Sequence, residues 1–156
     1  MLIYQKAAFD YNDLAEKLWL ISNQAYTHGS PWTKTQFLTD LQQPHTDYLI
    51  AIEANEIVGF LGFSRVVDEV EITNIAVNLT SQGKGHARQL LKALIQQEKA
   101  NDVFQVFLEV RKSNERAKCL YESEKFRVLG IRKSYYQQPV EDAFIMSTKL
   151  KTETMK

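Results

Sequence analysis

The chain has 156 residues and sets 19 Lys and Arg against 19 Asp and Glu, for a formal net charge of zero. That length fits one domain with a sizeable core, and the charge balance gives no basis for broad electrostatic binding to nucleic acid or an anionic membrane. One cysteine, Cys119, excludes an intramolecular disulfide framework. With no apolar run of about 18 residues and no basic, apolar leader, the chain reads as soluble and cytoplasmic.

The apolar start at residues 2–7 predicts an edge strand. Asp10 then offers a helix N-cap, and Leu14, Leu18, Ile21 and Ala25 follow at helical spacing. The stretch from Tyr26 to Pro31 breaks that helix. Thr33, with Gln36 three residues on, has the form of a capping box and opens a short helix carrying Phe37 and Leu41. The runs 48–53 and 57–65 read as strands joined by a tight turn at Ala54-Asn55, and 70–77 completes an antiparallel meander. Past Val77, Ala87, Leu90, Leu91, Leu94 and Ile95 recur as one helix face. The run 103–110 is almost wholly apolar, as expected of a strand covered on both sides. A helix over about 114–124, burying Ala117, Leu120 and Tyr121, and strands at 126–134 and 143–150 finish the chain. The order β-α-α-β-β-β-α-β-α-β-β places one strand–helix–strand unit in an otherwise antiparallel sheet. The class is mixed α/β, about seven strands and four helices with a parallel central pair, in one domain over 1–150 followed by a polar tail, 151–156.

The link between the strand 70–77 and the long helix contains Gln82-Gly83-Lys84-Gly85-His86-Ala87. Two glycines let the backbone approach a ligand and turn successive N–H groups outward. With the positive end of the helix dipole, those groups suit a pyrophosphate. The same glycines also serve ordinary turn chemistry. A P-loop requires Ser or Thr after Gly-Lys, where this chain has Gly85. A dinucleotide fingerprint requires three spaced glycines on an early parallel strand.

The hexapeptide matches the Gln/Arg-x-x-Gly-x-Gly/Ala signature, and on it the chain resembles the GCN5-related N-acetyltransferases (GNAT). Asn74-Ile75-Ala76-Val77, Leu108-Glu109-Val110-Arg111, Ser113-Asn114, Leu120-Tyr121-Glu122-Ser123, Arg132-Lys133-Ser134-Tyr135-Tyr136, Glu141-Asp142-Ala143 and Pro31-Trp32 resemble the RimI branch of that family, which acetylates the N-terminal alanine of a small-subunit ribosomal protein. The resemblance covers nearly the whole chain.

It implies acetyl-CoA as co-substrate, no metal, and a protein N-terminus as acceptor. It implies no direct nucleic-acid or membrane partner, in a monomer or weak homodimer. Gln82, Gly83, Lys84, Gly85, His86, Ala87 and Arg88 would hold the phosphates, and Asn114 the pantetheine arm. The backbone of Ile75, Ala76 and Val77 would pair with the pantetheine amides as a neighbouring strand would. Glu109 is the candidate general base, where partial burial near a strand end would raise its pKa toward a useful range; a strand-end carboxylate paired with Arg111 or capping the next helix is the plainer alternative. Tyr121, about two turns beyond Asn114, is the candidate general acid, and a tyrosine at that spacing also fits a core position. Trp32 and Tyr136 would line the peptide groove or simply pack. His86 would touch a phosphate or face solvent. His28, His45 and His86 are too scattered for a metal site, and Cys119 has no His–Asp partnership that would make it a nucleophile. Where the family commonly ends this helix on Leu-Gly-Phe, the chain reads Glu124-Lys125-Phe126. Lys125 would have to take a positive φ at a cost of about 1 kcal/mol, with Tyr121 displaced if the helix ends otherwise.

Overall fold

A computed structural model describes residues 1–151, so of the polar tail only Lys151 lies within the described residues. Strand β1 (Leu2–Gln5) precedes helices α1 (Tyr11–Ala25) and α2 (Lys34–Leu41), then strands β2 (Thr46–Glu53), β3 (Glu56–Val66) and β4 (Glu69–Val77). Helix α3 (His86–Ala100), β5 (Gln105–Arg111), α4 (Glu115–Ser123), β6 (Arg127–Tyr136) and β7 (Glu141–Lys149) complete it. The strands form one seven-stranded sheet in the order β1-β2-β3-β4-β5-β7-β6. This is the mixed α/β class and element order that the sequence predicts. β4 and β5 pair in parallel over Glu69–Glu71 against Gln105–Phe107, whereas β5 and β6 each pair antiparallel with β7. Among the described residues no helix is long and apolar enough to cross a membrane.

The chain clusters into two compact units, one of Met1–Ser64 with Asn74–Leu94, the other of Arg65–Thr73 with the chain from Ile95 on. In the first, Asp10 accepts a bond from the Asp13 N–H and starts α1, and the Thr33–Gln36 capping box starts α2. Leu14, Leu18, Ile21, Phe37, Leu41, Tyr48 and Phe60 pack as its core. Phe37 and Phe60 meet edge to face at 5.8 Å. A Cβ on Gly62 would lie 2.7 Å from the Tyr48 ring, so the ring occupies the space a side chain would need. Ala54 and Asn55 both take left-handed φ, 50° and 65°, as a two-residue hairpin turn requires. β1 is shorter than the apolar run suggests, because Lys6–Ala8 form a 3-10 turn. Lys6 turns its ammonium to the carbonyls of Leu41 (2.8 Å) and Gln43 (2.9 Å), which satisfies and neutralises the end of α2.

In the second unit, β5 is not covered equally on both faces. Val106, Leu108 and Val110 are buried, while Phe107, Glu109 and Arg111 are half-buried, so the strand alternates although its residues are mostly apolar. On the part of α3 that belongs to this unit lies Glu98, a carboxylate with no exposed surface. Arg65 meets it with a two-pronged ion pair, Nε and Nη2 each 2.7 Å from a carboxylate oxygen, and Gln97 and Asn101 add further donors. Removing one partner strands the other's charge. Glu98→Ala is expected to lower stability by about 2–3 kcal/mol in urea denaturation, with Arg65→Ala close behind; an unchanged midpoint would show that the pair contributes nothing.

Candidate active site

β4 runs into a 3-10 turn, Leu79–Ser81, and then into the glycine loop. Gly83 and Gly85 adopt φ of 81° and 82°, a region that side chains rarely enter. A Cβ at either position would meet nothing within 4 Å, so the loop presents bare backbone to open space. The Gly85 carbonyl accepts the first helical bond, from Gln89 N–H at 3.0 Å, leaving the N–H groups of the first α3 turn without intrahelical acceptors. Lys84 and Arg88 are exposed on either side. Backbone donors, a helix N-terminus and two cations together fit a pyrophosphate.

Two of the loop's side chains, Gln82 and His86, turn inward. Gln82 Nε2 donates to the Val77 carbonyl at 3.0 Å. The His86 ring is buried, with Nδ1 3.1 Å from the Ser81 carbonyl and Nε2 3.1 Å from the Glu53 carboxylate. The ring therefore does not face solvent. The Ile75 backbone has a partner too. The Tyr26 hydroxyl donates to its carbonyl at 3.0 Å and accepts from its N–H at 3.3 Å, replacing a neighbouring strand with one oxygen. Burial pushes the Tyr26 hydroxyl above its ordinary pKa, against the opposing pull of that backbone bond, which keeps it a donor. Nothing in sequence pattern distinguishes Tyr26 from the other residues of the helix-breaking stretch.

The second unit holds the candidate base. Glu109 is half-buried, and its Oε2 is paired with Arg132 Nε. Arg132 also lies over the Tyr135 ring at 5.5 Å. Burial, then the hydrogen bond and charge of Glu109, raise the Tyr135 pKa. Glu71 on β4 is pushed up in pKa by burial first and by the Glu109 charge second, with Arg132 opposing. Glu71, Glu109, Arg132 and Tyr135 therefore form one electrostatic cluster. Arg132 and Tyr135 belong to a recognised motif, but spacing alone assigns them no role. Neither plainer alternative for Glu109 holds. Arg111 instead pairs with Glu141 at 3.2 Å and covers the Tyr136 ring at 4.3 Å, and Asn114 caps α4 by accepting from the Ala117 N–H. The Asn114 side-chain oxygen is thus engaged locally, one residue ahead of the helix rather than inside it.

Tyr121 is buried and packs on Phe126, ring centroids 5.8 Å apart. The end of α4 fixes it there. Lys125 takes φ 71°, its N–H donates to Glu122, and the Phe126 N–H reaches back to the Tyr121 carbonyl at 3.0 Å. These bonds make a Schellman end, complete with its apolar contact, and lysine occupies the left-handed position where glycine is usual. Trp32 stacks edge to face on Phe37 at 5.2 Å and so packs against the first unit's core. Cys119 is exposed.

Residues 11–126 match the acetyltransferase (GNAT) family. The chain belongs to that family. It is an acetyl-CoA-dependent N-acetyltransferase, and it resembles ribosomal-protein-alanine acetyltransferases in particular. It is 38% identical over 149 residues to the [ribosomal protein bS18]-alanine N-acetyltransferase of Haemophilus influenzae, covering 94% of this chain and 97% of that protein. It is 36% identical over 124 residues to a putative enzyme of the same description from Bacillus subtilis, covering 79% and 82%. The crystal structure of the ribosomal-protein-S18-alanine N-acetyltransferase from Escherichia coli superposes with a TM-score of 0.86 at 28% identity, covering 99% and 98%. Ard1 from Thermoplasma volcanium, at 21% identity and a TM-score of 0.81, shares the fold.

The Glu71 pKa gives this GNAT chain a pH signature. A carboxyl raised on folding binds more protons in the native state, so its contribution is full below its ordinary value of 4.5 and is lost as pH rises through the raised native value. Glu71→Gln is therefore expected to raise Tm relative to the parent at about pH 7 and to lose that advantage near pH 4; a difference independent of pH would show that Glu71 is unstrained.

Proposed function

We propose that this enzyme acetylates the N-terminal α-amine of a protein, with the N-terminal alanine of a small-subunit ribosomal protein as its acceptor. The observation that carries the reading is the near end-to-end likeness to the Haemophilus influenzae enzyme, whose name specifies that acceptor. Such a substrate places the enzyme in the cytoplasm.

Acetyl-CoA supplies an acetyl group on a thioester. The open backbone of Gly83 and Gly85, with Lys84, Arg88 and the first turn of α3, holds its phosphates, and the β4 backbone at Ile75–Val77 takes its amide arm in exchange for the bonds it makes to Tyr26 and Gln82. A protein α-amine has a pKa near 8, so a modest base suffices to leave it neutral. Glu109 accepts the amine proton, directly or through water, as the nitrogen–carbon bond forms. Tyr121 donates its phenolic proton to sulfur as the carbon–sulfur bond breaks, so the reaction leaves an amide and a thiol. Arg132 and Tyr135 hold the Glu109 carboxylate in one orientation.

Tyr121→Phe is expected to lower kcat roughly 100-fold, the usual scale of a lost general acid, with coenzyme Kd within about twofold. Unchanged turnover would remove Tyr121 from the mechanism. On a panel of peptides with different first residues, set beside lysine-bearing peptides and polyamines, the Ala-starting peptide is expected to show the highest kcat/KM. Preference for a polyamine or a lysine side chain would move the enzyme to another acceptor class.

A further inference from the structure

The coenzyme loop is tied from below by a contact that the family signature does not require. His86 opens α3, yet only 4% of its side chain is exposed. Its two ring nitrogens face the Ser81 carbonyl and the Glu53 carboxylate, each at 3.1 Å. Both partners are acceptors, so each is a place for a ring N–H to donate. Ser81 closes the 3-10 turn ahead of the loop, and Glu53 ends β2 beside the hairpin turn. The ring therefore clamps the two ends of the segment 81–86 together and fastens them to β2. Between the clamped ends lie Gly83 and Gly85, whose freedom at positive φ would otherwise let the N–H groups point many ways.

The geometry points to His86 and Glu53 as positioning residues that hold the loop's N–H groups in their phosphate-binding orientation before acetyl-CoA arrives. The inference rests on the loop being the donor site. Preorganisation of this kind acts on affinity, since the ordering cost is met on folding rather than on binding, and it leaves the reacting groups untouched. The His86 hydrogen bond is also the main reason the Glu53 carboxyl stands below its ordinary pKa, with the Met1 ammonium and Lys84 adding smaller attractions. Glu53 is 40% exposed, so its truncation spares the core and leaves the fold available for measurement.

The test compares Glu53→Ala, Glu53→Gln and His86→Asn with the parent, reading acetyl-CoA Kd by calorimetry together with KM and kcat. Asn retains a donor for Ser81 but does not reach Glu53. Glu53→Ala and His86→Asn are expected to raise Kd and KM about five- to tenfold with kcat at saturation within about twofold, and Glu53→Gln, whose amide oxygen still accepts, to recover part of the loss. Kd and KM unchanged in both variants, or a fall confined to kcat, would overturn the strut. Gly85→Val separates this from failure of the donor-site reading. Its branched side chain blocks phosphate binding if the loop holds the coenzyme, and normal affinity in that variant would relocate the donor altogether.

Discussion

Parallel strands cannot be joined by a tight turn, and in this protein that constraint falls on one pair, β4 and β5. The connection is α3 with its leading loop, and the loop therefore begins at the carboxyl end of a strand and ends at the amino end of a helix. That junction is where backbone N–H groups and a helix dipole converge. The proposed donor site follows from the crossover. Gly83 and Gly85 supply the turn, Gln82 and His86 supply the tethers, and the exposed Lys84 and Arg88 supply charge.

The candidate acid and base depend on local fixtures of a different kind. Glu109 is oriented by residues of β6, a strand almost wholly exposed, so a charge and a ring hold its part-buried carboxylate. Tyr121 is held by the way its helix ends. Lys125 carries the left-handed strain of that ending without being glycine, and the reciprocal backbone bonds and the Phe126 contact offset it. The two groups are thus stabilised independently, one electrostatically and one by packing.

Periodicity and punctuation made most of the fold legible. Asp10, the Thr33–Gln36 box, Ala54-Asn55 and the Leu90–Leu94 face act within a few residues, and short-range signals survive in sequence. What was not legible depends on partners far apart. Glu98 is a helix carboxylate, and its acceptance into the interior requires Arg65, 33 positions away. Tyr26 reaches Ile75 across 49 positions, and Arg132 reaches Glu109 only because β7 lies between their strands. The glycine loop was readable as a motif, yet the inward turn of the His86 ring was not, because a histidine in that slot has no local signal for which way it faces.

Cys119 has a practical consequence of another sort. It is the only thiol in the sequence, lies exposed on α4, and precedes Tyr121 by two residues, about 200° around the helix. A maleimide dye would attach at one defined place, pointing away from the buried phenol, and report on the motion of α4 without engineered cysteines. In buffers lacking reductant the same thiol can join two molecules covalently, so a dimer band under those conditions reflects oxidation rather than assembly.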